Sequence, residues 1–83
     1  IDSGNFDYLH YGARGRAYLE IEAYKKAISD YSAALNLNKK YSKGFYNRGL
    51  TYYYQDEFQK SLDDFKQAKL LGTDEEDINY VFA

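Results

Sequence analysis

The sequence predicts an all-α fold of stacked helix–turn–helix repeats, and three observations carry that prediction. Two stretches recur 34 positions apart with no insertion. Arg14-Gly15-x-x-Tyr18 returns as Arg48-Gly49-x-x-Tyr52, and Ala27-x-x-x-Tyr31-x-x-Ala34 returns as Ser61-x-x-x-Phe65-x-x-Ala68. Tyr11, Tyr24 and Leu37 are answered by Phe45, Phe58 and Leu71 in the same register. A fixed period of this length marks helical pairs stacked on one another. Secondly, the apolar residues fall at helical spacing, and strand-like alternation is absent. Thirdly, a chain of 83 residues that is 45% hydrophobic and 19% aromatic is too apolar for disorder, and its length allows one domain with a modest core.

The first helix is expected over Tyr8–Ile21. Tyr11, Ala17, Tyr18 and Ile21 supply its apolar positions, and Asp7 precedes it as an N-cap that accepts from free backbone N–H groups. The second is expected over Ala23–Leu37. Its stripe of Tyr24, Ala27, Ile28, Tyr31, Ala34 and Leu35 is the cleanest in the chain, and Asn36-x-Asn38-Lys39-Lys40 ends it. A third helix over Ser42–Gln55 and a fourth over Glu57–Leu71 repeat the pattern, with Gly72 as a C-terminal stop. Thr73-Asp-Glu-Glu76 reads as a capping box that opens a last helix through Val81, carrying Ile78, Val81 and Phe82 onto the fourth. Gly15 and Gly49 lie inside helices, where glycine costs about 1 kcal/mol against alanine. That cost points to close helix–helix approach, with Ala27 or Ser61 opposite and Tyr18, Tyr31, Tyr52 and Phe65 alongside. Tyr24 and Phe58 are expected to plug the turns between paired helices.

The pattern aromatic-x-x-Arg-Gly-x-x-Tyr, followed by Ala/Ser-x-x-x-aromatic-x-x-Ala at a period of 34, resembles the tetratricopeptide repeat. The resemblance covers two repeats, 8–41 and 42–75, with 74–82 as a capping or third-repeat helix. It departs at the proline near the repeat end, replaced by Lys39 and Thr73, and at Ser61, which stands for a small alanine. It implies one domain wound as a short right-handed superhelix, and a protein-interaction module rather than an enzyme. With no initiator methionine, the chain reads as a segment of a longer protein.

Composition and spacing set aside several chemistries. A net charge of −2 gives no electrostatic case for nucleic acid. No apolar run reaches membrane-spanning length. The lack of cysteine removes disulfides and thiolate metal sites and leans towards the cytoplasm. His10 is alone, whereas a metal site or a hydrolytic triad needs convergent partners, so neither metal, cofactor nor catalytic residues are expected. Asp63 and Asp64 are adjacent and point apart on a helix. Asp74-Glu75-Glu76-Asp77 lacks the spacing of a calcium loop and suits a helix N-terminus. Gly12-x-x-Gly15 has no phosphate-loop context, and Lys39, Lys40 and Lys43 read as a solvated cluster.

The remaining candidate is a binding face. The resemblance places Leu9, Gly12, Ala13, Arg16, Leu19 and Glu20 of the first repeat in a concave groove, with Lys43, Tyr46, Asn47, Leu50, Tyr53 and Tyr54 of the second. Independently, Lys43, Tyr46, Asn47, Leu50 and Tyr54 follow one helical stripe, distinct from the Phe45, Gly49 and Tyr52 face. Arg16, Leu19, Lys43, Tyr46, Asn47, Leu50, Tyr53 and Tyr54 are therefore the candidate peptide-contacting residues. Arg16 and Lys43 would add positive charge, whereas Lys40 and Asp64 are expected on solvated faces. The same tyrosine-rich face could alternatively join two copies of the chain. A subgroup of the family grips chaperone C-terminal tails with a lysine/asparagine/arginine clamp. Asn47 matches one clamp position, whereas Gly12, Arg16, Asp77 and Val81 do not match theirs. A register shift recovers only Lys43 of the last pair, so chaperone tails are disfavoured as partners.

Overall fold

The computed structural model describes residues 7–72 and places four helices there: α1 (Tyr8–Glu20), α2 (Tyr24–Leu37), α3 (Ser42–Tyr54) and α4 (Phe58–Leu70). Each begins or ends within one residue of its expected limits. The helix expected over 74–82 and its capping box lie outside the described residues. Each helix packs on the next in sequence, while α1 and α3 barely touch.

The turns show why the pairs fold back. Asp7 accepts the His10 N–H at 3.0 Å and caps α1, and that bond holds its carboxyl below the ordinary range. At the end of α1 the Glu22 N–H donates to Leu19 O at 2.9 Å and the Ala23 N–H to Tyr18 O at 2.8 Å. Asp56 and Glu57 repeat the pair at Tyr53 O and Tyr52 O, at 3.0 and 2.9 Å. This closure needs a left-handed residue after the helix, normally glycine. Here Glu22 (φ 63°) and Asp56 (φ 64°) occupy it, while Gly72 (φ 96°) does so after α4. A side chain in that conformation costs about 1–2 kcal/mol, partly offset by the greater unfolded-state freedom of glycine. Glu22→Gly and Asp56→Gly are therefore each expected to stabilise by about 0.5–1 kcal/mol. Urea midpoints check this; unchanged midpoints in both variants would remove strain from these turns.

Leu19, Ala27 and Tyr31 form the first core, with Tyr18, Tyr24 and Leu50 packed against it. A Cβ on Gly15 would meet the Tyr31 ring at 3.0 Å, and one on Gly49 would meet the Phe65 ring at 3.0 Å. The glycines thus face aromatic rings, where the expected opposite residues were Ala27 and Ser61. Those two are buried on the same helix faces. Two residues of the expected α1 stripe, Ala17 and Ile21, are exposed, Ile21 by 71%. The position 34 on from Ala17 is Thr51, which is fully buried because α3 lies between α2 and α4. No described helix covers the matching side of α1. The turn plugs also diverge. Tyr24 is half-buried under Tyr54, ring centroids 5.9 Å apart, whereas Phe58 is 57% exposed beside Tyr53. No described element stands over Phe58 as α3 stands over Tyr24.

One repeated feature was not anticipated. Arg14 donates from Nε and Nη2 to Asp30 at 2.8 and 2.9 Å, and Arg48 does the same to Asp64 at the same distances. Arg48 Nη1 also donates to Ser32 Oγ at 3.1 Å, tying α3 to α2 as well as to α4. The guanidinium of Arg48 lies over the rings of Phe45 and Tyr52 at 5.8 and 5.9 Å, which gives the aromatic-x-x-Arg-Gly-x-x-Tyr spacing its physical reason. Asp64 is only 5% exposed, so its expected solvated position is corrected: a planar, bidentate partner offsets the cost of burying a carboxylate.

Candidate functional site

Because α1 and α3 stand apart while α2 touches both, a concavity opens between them. It measures about 490 Å³ and is lined by Arg16, Leu19 and Glu20 from α1 and by Lys43, Tyr46, Asn47, Leu50 and Tyr54 from α3. Seven of the eight candidate residues therefore come together. Tyr53 does not line the concavity; its ring meets Tyr54 and Phe58 edge-on at 6.1 and 5.6 Å. Leu9, Gly12 and Ala13 are also absent from the lining. Gly12 is buried, and a Cβ there would run into the Tyr41 hydroxyl. Leu9 is exposed away from the groove lining.

The lining residues differ in how firmly they are held. Leu19 is buried and Leu50 packs on the core, so both present apolar surface on a fixed base. Tyr46 is half-buried with its ring 5.6 Å from that of Phe65. Tyr54 is 52% exposed, supported on one side by Tyr24. Asn47 O accepts the Thr51 hydroxyl at 2.7 Å, a bond within α3 that leaves the Asn47 side chain for the groove.

Charge is more balanced than the sequence suggests. Arg16 Nε lies 3.3 Å from Glu20 Oε2, with both side chains exposed. Arg16 is therefore offset, and the expected pair of cations reduces to Lys43, which has no ion-pair partner among the described residues. The signal was present: Arg16 and Glu20 sit four apart on one helix face. The Arg14–Asp30 and Arg48–Asp64 pairs left only a fainter trace, a separation of 16 that recurs after 34, and the placement of the helices shows which carboxylate meets each arginine.

Behind the groove, the Tyr31 hydroxyl is buried with no hydrogen-bond partner among the described residues, and burial pushes its pKa up. The matching residue, Phe65, has no hydroxyl to satisfy. Tyr41, whose ring meets Tyr8 edge-on at 4.9 Å, is also pushed up by burial. Among the described residues no three His, Cys, Asp or Glu side chains gather as metal ligands, and no helix is long and apolar enough to cross a membrane.

Known proteins place this architecture. Serine/threonine-protein phosphatase 5 of Rattus norvegicus is 33% identical over 69 residues, covering 83% of this chain and 14% of the relative. The Homo sapiens protein of that name is 38% identical over 58 residues, covering 70% of this chain and 12% of the relative. The chain thus spans about a seventh of the length of these relatives. A family model described as TPR repeat matches residues 15–56, which run from Gly15 of the first motif through α2 and α3 and include Arg48-Gly49. With the 34-residue register and the helix pairs built on it, that match makes this chain a member of the tetratricopeptide repeat family.

Proposed function

We propose that the α1–α3 concavity is a protein-binding groove that takes a short segment of a partner protein. One observation carries the reading. Leu19, Leu50 and Tyr54 leave apolar surface open in a concavity whose rim holds Lys43, Asn47 and the Arg16–Glu20 pair. Its volume falls within the roughly 300–1,000 Å³ of sites that enclose a small ligand, which suits a few side chains rather than a whole domain. Aromatic side chains offer large contact area at low entropic cost, so Tyr54 is the main anchor. No acid, base and nucleophile set is assigned to the chain, and the phosphatase activity in the relatives' name belongs to those proteins. The motif argument against chaperone tails gains no support from the geometry. Lys43 and Asn47 share one wall and suit a carboxylate, so peptides with a free C-terminus belong among the probes.

The test uses peptides selected from a random display library on the wild-type chain, with affinities then measured by calorimetry. Tyr54→Ala is expected to weaken binding by about 1–3 kcal/mol. Lys43→Ala should add a salt-dependent loss if the bound peptide is acidic. Tyr46→Ala is a poorer probe, because removing its ring also strips Phe65 of a neighbour. Wild-type affinity in both Tyr54→Ala and Lys43→Ala would sink the groove reading. A wild-type chain that dimerises in sedimentation, and becomes monomeric in Tyr54→Ala, would assign the face to self-association instead.

A further inference from the structure

The end of the molecule that holds the α1–α2 and α3–α4 turns carries a row of open aromatic rings. Tyr24 stacks on Tyr54 at 5.9 Å, Tyr54 meets Tyr53 at 6.1 Å, and Tyr53 meets Phe58 at 5.6 Å. Tyr53, Tyr54 and Phe58 all leave about half their surface to solvent. Elsewhere the chain lays its own cations over its rings. Lys26 lies over Tyr18 at 5.7 Å, and Lys60 over Tyr52 at 5.6 Å, the same pair one repeat on. Arg14 and Arg48 lie over Tyr11 and Phe45. Among the described residues no lysine or arginine lies over a ring of the row. What surrounds the row is negative. Glu20 lines the concavity with Tyr54. Burial and the Glu22 carboxylate together push the pKa of Tyr24 up. Asp56 and Glu57 form the turn between Tyr54 and Phe58. All four acids are exposed, and neither 17–24 nor 51–58 contains a lysine or arginine. Glu20 pairs with Arg16, whereas Glu22, Asp56 and Glu57 have no ion-pair partner among the described residues.

We propose that this row docks an extended, arginine-bearing segment of a partner protein. Ring faces attract a cation, and the flanking carboxylates give the row a charge that complements one. Arginine suits the row better than lysine. Its planar guanidinium stacks on a ring, offers a fork of N–H donors to a neighbouring carboxylate, and gives up water more readily than an ammonium. Spacing selects an extended backbone. Side chains on one face of such a chain recur about every 7 Å, close to the ring steps of 5.6–6.1 Å. Arginines at alternate positions therefore meet successive rings. Tyr54 and Glu20 also belong to the groove, but the proposal does not rest on the groove reading, because Tyr53, Phe58, Glu22, Asp56 and Glu57 lie outside that lining.

The test titrates the full 83-residue chain by calorimetry at low ionic strength. The probes are an end-blocked peptide of alternating arginine and glycine and its lysine counterpart. The arginine peptide is expected to bind at least about threefold more tightly than the lysine peptide. Tyr53→Ala combined with Phe58→Ala is expected to weaken it about tenfold, the effect of two exposed cation–ring contacts. Glu22→Gln, Asp56→Asn and Glu57→Gln together should weaken it about fivefold, a difference that about 1 M salt erases. These three exposed turn positions leave every ring in place, so they test the proposal even where the ring variant melts early. Lys43→Ala, which alters the groove, should leave the arginine peptide no weaker. A peptide selected on the groove should keep its affinity when Tyr53 and Phe58 are both alanine, so the two surfaces stand or fall separately. Equal affinity for the two probes would overturn the proposal, by reducing the row to its charge. Absence of binding at about 1 mM peptide would overturn it as well, as would wild-type affinity in either the ring variant or the carboxylate variant.

Discussion

Asp64→Ala is expected to cost about 3 kcal/mol of folding stability, the range for removing one member of a buried pair. The carboxylate accepts two bonds from Arg48 and is 5% exposed, while the Arg48 side chain is 21% exposed. Without Asp64 that guanidinium keeps, among the described residues, the Ser32 hydroxyl as its side-chain hydrogen-bond partner, with part of its contact with water. In a domain of this size the loss corresponds to a melting point lower by roughly 12 °C or more. Asp30→Ala removes the equivalent partner of Arg14, but that arginine is 48% exposed, so solvent takes over and the loss is smaller. The ordering of the two variants is the sharper check. Equal melting points for Asp64→Ala and Asp30→Ala would show that inter-repeat burial of Arg48 adds nothing.

Gly49→Leu is expected to destabilise by at least about 2 kcal/mol through overpacking. A Cβ alone would come within 3.0 Å of two Phe65 ring carbons and 3.1 Å of the Asp64 Cβ, and leucine adds three further carbons in the same direction. The Phe65 ring has nowhere to retreat, since it is 1% exposed and already in contact with Tyr46. Gly49→Ala is expected to be near neutral: the ring must yield by a few tenths of an ångström, against a gain of about 1 kcal/mol in helix propensity. Thermal melts of the two variants beside the wild type decide it. A Gly49→Leu chain that melts with the wild type would mean that α3 and α4 can separate at this point without penalty.

The two variants probe features that were unequally readable. Gly49 announced itself, because an uncompensated glycine inside a helix asks for a packing reason, and the 34-residue register named the helix it must approach. Asp64 did not. Its neighbour Asp63 is exposed, and adjacent carboxylates on a helix look alike until the partner helix is placed. What distinguishes them is a rotation of about 100° around the axis, which turns one towards Arg48 and the other to water.

The sequence by itself determined the repeat length, the four helices and their limits to within a residue, and the stripe of Lys43, Tyr46, Asn47, Leu50 and Tyr54. All of these depend on spacing along one helix or on self-similarity along the chain, which are local quantities. Tertiary structure alone decided which sides of equivalent helices are covered. Thr51 is buried where Ala17 is exposed, Tyr24 is covered where Phe58 is open, and Arg48 spans three helices where Arg14 pairs across two. It also paired Arg16 with Glu20 and turned Tyr53 out of the groove. Identical positions in a repeat diverge in this way because burial depends on the neighbours above and below, and a repeat motif specifies only the unit between them.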